Sequence, residues 1–373
     1  MKQILTLAIL FSFVFSFGQE LALVRENDLF GYINKSGEYV IQPQYVGAKS
    51  FSEGYAAVEK DKMWGYINTK GDWAIEPIYD KVKYFNSGYA LVLKEDRWRY
   101  IDSSGKELEV PATEKFYDFE DGVAFIRQGD KIGLIGTDGK IVLEPTYDEI
   151  QSFRDGYAKV QNGELWGMID NKGKVVIPVE YEEIGNTWNE AGVYGKKGAD
   201  FGIIHNGSFN IIAGADKVWN FHGNSNLTYA RKDKLTGFVN SKGEWVIKPI
   251  YKKARAFSNG LAPVVENKDW GYINEEGKTV IDFQYKDAEI FSENGLAPVK
   301  DKDWGFIDTK GNLIIPMEYD ITAGLAFLAG NNDKGFLGDF ARIKSKEGWG
   351  FFNTKGELLG NKWYQNAEPF VKN

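Results

Sequence analysis

"DKDWGFIDTKGNLIIPMEYD", residues 301–320, repeats with few changes a stretch found 240 residues earlier, "DKMWGYINTKGDWAIEPIYD", residues 61–80. Self-similarity at a fixed period decides architecture before any single element is read, because each copy must build the same small unit. With the glycine of the Trp-Gly pair as marker, copies fall at Gly31, Gly65, Gly133, Gly167, Gly202, Gly237, Gly271, Gly305 and Gly350, and Arg99 stands in the glycine's place in a third copy. Successive spacings are 34, 34, 34, 34, 35, 35, 34, 34 and 45 residues, so ten copies fill the chain from about residue 20 onward.

The copies share further positions. Six carry the tryptophan, as Trp64, Trp98, Trp166, Trp270, Trp304 and Trp349, while Phe30 and Phe201 substitute an aromatic and Ile132 and Thr236 do not. A second glycine follows the first by six residues in most copies, as Gly37, Gly71 and Gly311 do. A tyrosine comes eight residues later in eight copies, from Tyr45 to Tyr364, usually with a proline just before it. This pattern resembles the WG-repeat family, bacterial proteins built from tandem copies of this length. The resemblance covers the chain from about residue 20 to its C-terminus; it implies an architecture and brings no catalytic motif. The departures are Arg99, a degenerate sixth copy around Phe201 to Phe221, and the 45-residue spacing before Gly350.

Each unit reads as β structure. In "YAAVEKDKMWGYINTKGDWAIEPIY", residues 55–79, "YAAVE" and "WAIEPIY" alternate apolar and polar residues, and "MWGYIN" is almost wholly apolar. "INTKGD" places Asn68 at the first position of a turn and Gly71 where a left-handed residue closes it. Because side chains alternate along a strand, Trp64 and Tyr66 face one way and Gly65 and Ile67 the other, and both faces must be covered by neighbouring repeats. Gly65 is expected to leave bare backbone on which an aromatic ring of the next unit lies, and the proline of "EPIY" to end strand pairing. The linker "DKVKYFNSGYA" anchors the crossing through Phe85. The expected fold class is all-β: a tandem array of about ten 34-residue three-stranded repeats stacked as a solenoid or superhelix. A β-propeller-like ring, or two sub-arrays dividing near residue 200, are the alternatives.

Composition bounds the function. Net charge is −8 with both signs interspersed, so the basic stripe of a nucleic-acid binder is not visible. Met1 and Lys2, the apolar run from Ile4 to Phe17 and the polar Gly18-Gln19 read as an export signal cleaved near Gln19, leaving residues 20–373 as the repeat array. The run of 14 residues falls short of a spanning helix, and no stable membrane insertion is expected after cleavage. The chain has no cysteine, which excludes a lipoprotein anchor, disulfides and thiolate chemistry. The expected location is periplasmic or extracellular.

Catalytic signals are weak, and the chain is expected not to be an enzyme and to need no cofactor. His205 and His222 lie 17 residues apart without metal-ligand spacing, and no nucleophile-elbow serine is present. Asp102, Asp170 and Asp308 stand at turn starts where other copies place Asn, which cannot act as acid or base, so a turn role is expected. A calcium loop through Asp301, Asp303 and Asp308 lacks the closing bidentate Glu. The better lead is aromatic residues outside the repeat pattern: Trp188, Trp219 and Trp363, with Phe336 and Phe340 as apolar contacts on the inserted loop before Gly350, which includes residues 329–340. Trp73 and Trp245, two residues past a turn glycine, read as a core rim. Two functions follow as expectations. One is a non-catalytic exported scaffold for an unknown protein partner; the alternative is a binder of cell-envelope or environmental glycans.

Overall fold

The computed structural model describes residues 20–223, 225–321 and 335–371; residues 1–19, the expected export signal, and residues 322–334 of the insertion lie outside them. Among the described residues the regular structure is antiparallel β, with one 3-10 turn at Leu359–Asn361. Most repeats are meanders of three strands, as in Tyr55–Lys60, Met63–Asn68 and Trp73–Tyr79; the third and tenth have isolated bridges in place of the third strand. The linker contributes a fourth, very short strand, which pairs not with its own repeat but with the first strand of the next. Glu149–Ile150 pairs Tyr157–Asn162, Glu183–Ile184 pairs Val193–Lys197, and Lys253–Ala254 pairs Leu261–Glu266.

The same rule joins the two ends of the chain. Asn366–Ala367, after the last tyrosine, pairs with Ala22–Glu26 of the first repeat, completing a four-stranded sheet with Leu29–Ile33 and Tyr39–Tyr45. Leu21 bridges Val371 beside it. Turn glycines tell the same story: a Cβ on Gly71, Gly173, Gly277 or Gly311 would meet the third strand of the preceding repeat, and one on Gly37 would meet Leu359 of the tenth. The all-β tandem array is therefore as expected, but its ends are not open as a solenoid requires. It closes into a propeller-like ring of ten repeats, the ninth and tenth sharing one sheet, more than the roughly four to eight blades usual for propellers.

The core sits between neighbouring sheets. The residue after each Trp-Gly pair is buried and meets the linker phenylalanine that follows it: Tyr32 on Phe51 at 4.7 Å, Tyr66 on Phe85 at 4.8 Å, Tyr272 on Phe291 at 5.0 Å. Where that residue is tyrosine, its hydroxyl donates to a linker carbonyl, Tyr66 to Lys83 at 2.7 Å and Tyr272 to Glu289 at 2.8 Å, so the ring is buried without an orphaned polar atom.

Two expectations about the unit are corrected. A Cβ on Gly65 would lie 2.6 Å from the Ile75 carbonyl oxygen and 2.7 Å from the Pro77 nitrogen, so the bare backbone meets the third strand of its own repeat, not an aromatic ring of the next. Gly133, Gly237 and Gly305 meet the same backbone atoms of their own repeats. Nor does the proline end pairing: Trp73–Tyr79 runs through Pro77, with Trp64 opposite Tyr79 and Tyr66 opposite Ile75 across a bulge. Pro77 has no N–H to donate and sits where the ladder is already interrupted. This contact explains Arg99. Its repeat has no paired third strand, only a bridge from Ile101 to Glu107, so the ladder that faces Gly65 in the second repeat is absent at position 99. Its guanidinium lies 3.7 Å from Glu107 instead.

The turns follow the sequence closely. Asn68 Oδ1 accepts from the N–H groups of Lys70 and Asp72 at 2.9 and 3.1 Å, and Gly71 has φ of 90°. Asp102, Asp170 and Asp308 accept from their own turns in the same way. The sixth repeat departs: Asn206 and Gly207, both with positive φ, make a two-residue hairpin, and its strands pair without the bulge.

Candidate functional site

Charges are spread along the chain but gather on one part of the ring. Repeats seven to nine border an open groove of about 630 Å³, walled by Trp219, Tyr229 and Trp270. Arg231, Lys234, Lys252, Lys253, Arg255 and Lys286 line it, against a single lining carboxylate, Asp287. A chain of net charge −8 thus carries, among its described residues, a concavity whose lining is mainly basic.

Each cation is positioned by the repeat geometry. Arg231 lies on the first strand Thr228–Lys232 and binds Asp216 at 2.5 Å. Arg255 leaves the connecting strand to lie 4.5 Å over the Trp270 ring, held by Asp287 at 2.9 Å and Glu289 at 3.1 Å. Lys286 binds Asp269 at 2.8 Å, and that bond holds its ammonium above the usual lysine range. Lys252 donates to the Asn267 carbonyl at 2.5 Å. Among the described residues Lys234, Lys252 and Lys253, all exposed, have no carboxylate partner.

The cavity exists because the repeat is broken there. Thr236 stands where six copies place tryptophan, and it is one of the groove's walls. A side chain of that size leaves open the volume a tryptophan ring fills elsewhere. Trp219 and Tyr229 stack 4.6 Å apart at 16°, and the Lys217 ammonium lies 4.7 Å over the Trp219 ring. Burial pushes the Tyr229 hydroxyl up to about 12.

The sequence-derived candidates divide. Trp219 is in the groove. Trp188 stacks on Tyr157 at 4.8 Å, half-buried beside the fifth repeat's core. Trp363 packs 6.1 Å from Phe352 and abuts Gly350. Phe336 is 5% exposed and packs edge-on to Phe306 at 5.3 Å, so it is the ninth repeat's linker phenylalanine, not an exposed contact. Phe340 is half-buried, 4.9 Å from Phe370 at the joint of the ring. The structure does not bring these five together. Trp73 packs at the rim of the first repeat's core, and Trp245 donates to the Ala213 carbonyl at 3.2 Å.

The groove's lysines and arginines were missed because no stretch holds them all. The available signal was local: "ARKDK", residues 230–234, and "KPIYKKAR", residues 248–255, are basic segments that begin 18 residues apart, and both contribute side chains to the groove.

Fold and groove together define a closed tandem-repeat β protein with a basic concavity. The profile of the WG containing repeat family matches residues 30–64, 64–98, 132–166, 166–194, 237–268, 270–303 and 304–322, more than half of the chain. The chain belongs to the WG containing repeat family. No curated protein matches it. Similar solved structures include a eukaryotic initiation factor, at 10% identity and TM-score 0.46 over 80% of this chain and 96% of that one. Hsv2p of Kluyveromyces lactis is similar at 11% identity and TM-score 0.24, over 71% of this chain and 97% of that one. The dihydro-heme d1 dehydrogenase NirN is similar at 11% identity and TM-score 0.33, over 79% and 72%. Likenesses of this order say nothing about activity.

Proposed function

We propose that this chain is a non-catalytic exported scaffold that binds a protein partner on its ring. The observation that carries the reading is the basic groove: a concavity of about 630 Å³ in which the exposed Lys234, Lys252 and Lys253 have no carboxylate partner among the described residues. A non-catalytic role is supported by the recurring carboxylates, since Asp102, Asp170 and Asp308 have their oxygens engaged by their own turns. Export rests on the first 19 residues. The helices of the described residues include none long and apolar enough to cross a membrane. Glycan binding is the second reading, supported by the half-exposed ring pairs Tyr157–Trp188 and Trp219–Tyr229.

The test is affinity capture from periplasmic and extracellular fractions of the native host, with protein and glycan analysis of what is retained. Enrichment of a protein supports the first reading, retention of glycan alone supports the second, and an empty eluate overturns both. Intact mass of the native chain tests export: a mature chain starting near Glu20 is expected, and retained Met1 would overturn it.

A further inference from the structure

We infer that the groove of repeats seven to nine is the docking site for a carboxylate-rich segment of a protein partner. This rests on the binding-scaffold reading and adds the chemistry and place of the contact. Lys234, Lys252 and Lys253 lie on three turns and strand ends around one concavity, all exposed and none held by a carboxylate among the described residues. Arg255, Arg231 and Lys286 beside them are each already neutralised by an internal acid. The groove is thus an inner frame of paired charges with an outer set of ammonium groups that no carboxylate neutralises among the described residues, Lys252 giving one hydrogen bond to the Asn267 carbonyl. Such point charges suit a chain of carboxylates spaced along an extended segment, which needs several cations rather than one bidentate clamp.

A sugar platform fits less well, because stacking needs an open ring face. Trp219 is stacked on Tyr229 at 4.6 Å and has the Lys217 ammonium 4.7 Å from its ring centre, so its ring is already engaged from within the chain. Trp270 is 7% exposed and carries Arg255 over its ring. The aromatic rings therefore hold cations and each other, and what the groove offers a ligand is positive charge.

Full-length mature chain and two variants test this by fluorescence anisotropy with a labelled oligoglutamate peptide. The first variant combines Lys234→Glu, Lys252→Glu and Lys253→Glu. A control with the same charge change, Lys60→Glu, Lys62→Glu and Lys70→Glu, sits on the second repeat. The second variant, Thr236→Trp, restores the usual repeat residue, fills the cavity and leaves every charge in place. The wild type is expected to bind the peptide with an affinity that falls as salt rises. Both groove variants should weaken it roughly tenfold or more while the control does not. Melting curves establish that each variant is folded. No binding by the wild type, or equal loss in groove and control variants, overturns the inference. So does tighter binding of oligoglucuronate, which would make this an acidic-glycan site, or full competition by inorganic phosphate, which would make it a site for small anions. A host protein captured equally by wild type and groove variants would overturn the inference while leaving the scaffold reading standing.

Discussion

Val24 and Ala367 stand opposite each other in one antiparallel ladder, both fully buried, although one belongs to the first strand of the chain and the other to its last. Their relationship is that of Val299 and Ala288, an internal joint between the eighth and ninth repeats. The ring is therefore expected to be as sensitive at its closure as inside. Ala367→Leu and Ala288→Leu should each overpack their joint at a cost of about 1–3 kcal/mol. Thermal melts check this, and a silent Ala367→Leu beside a damaging Ala288→Leu would show that the ends are open in solution.

A second prediction separates the glycine of the Trp-Gly pair from its exception. At Gly65 even one methyl group would press on backbone atoms of Ile75 and Pro77, which cannot rotate away. Gly65→Ala should cost about 1–3 kcal/mol. Arg99→Ala removes an ion pair at 3.7 Å and a hydrogen bond to the Lys94 carbonyl at 3.2 Å, both made by a half-buried side chain, and should cost about 1 kcal/mol, less than Gly65→Ala. Denaturant midpoints of the two variants decide the matter, and equal losses would mean that the missing third strand does not explain Arg99.

Features carried within one repeat were legible from the sequence. The Asn68 and Gly71 turn, the buried residue after Trp-Gly and the Phe85 anchor each lie within one period, so most copies restate them. Closure was not, because whether ten units return to their start depends on small rotations summed over every joint, which no residue states. The short connecting strands were hidden for a related reason: two residues such as Glu149–Ile150 carry too little alternation to be recognised. The groove escaped because Lys234, Lys253 and Lys286 are neighbours only after the repeats are stacked. Thr236 was visible as a departure from the pattern, yet its effect, an open space, exists only in three dimensions.

Titration gives a third prediction. Burial raises the Asp118 carboxyl above its ordinary value, against the lowering pull of Lys83 and Lys49, and its Oδ1 accepts no hydrogen bond among the described residues. A carboxyl raised on folding favours the protonated form, so its contribution is most favourable below the unfolded pKa, about 4. That contribution is lost as pH climbs through the folded value. Asp118→Asn should therefore gain stability relative to wild type as pH rises from acid to neutral, and the two melting temperatures should converge at low pH. A constant difference across the range would show that Asp118 does not titrate as its burial demands.

The insertion before the tenth repeat gives the last prediction. Read from sequence, Phe336 and Phe340 looked like two apolar contacts on one exposed loop, but the structure assigns them different work. Phe336 is buried against Phe306 as Phe85 is against Tyr66 and Phe257 against Phe238, where the rings are 4.6 Å apart. Truncating any of these removes the filler between two sheets, and the sheets cannot collapse onto each other without breaking their strand pairing. Phe336→Ala, Phe85→Ala and Phe257→Ala should each cost about 3–5 kcal/mol. Phe340→Ala should cost less, since its ring is half-buried and its main contact is Phe370 at the rim of the joint. Chemical denaturation of the four variants orders them. If Phe336→Ala were as mild as Phe340→Ala, the ninth repeat would not be anchored as the others are, and the insertion would again be the place to look for a partner surface.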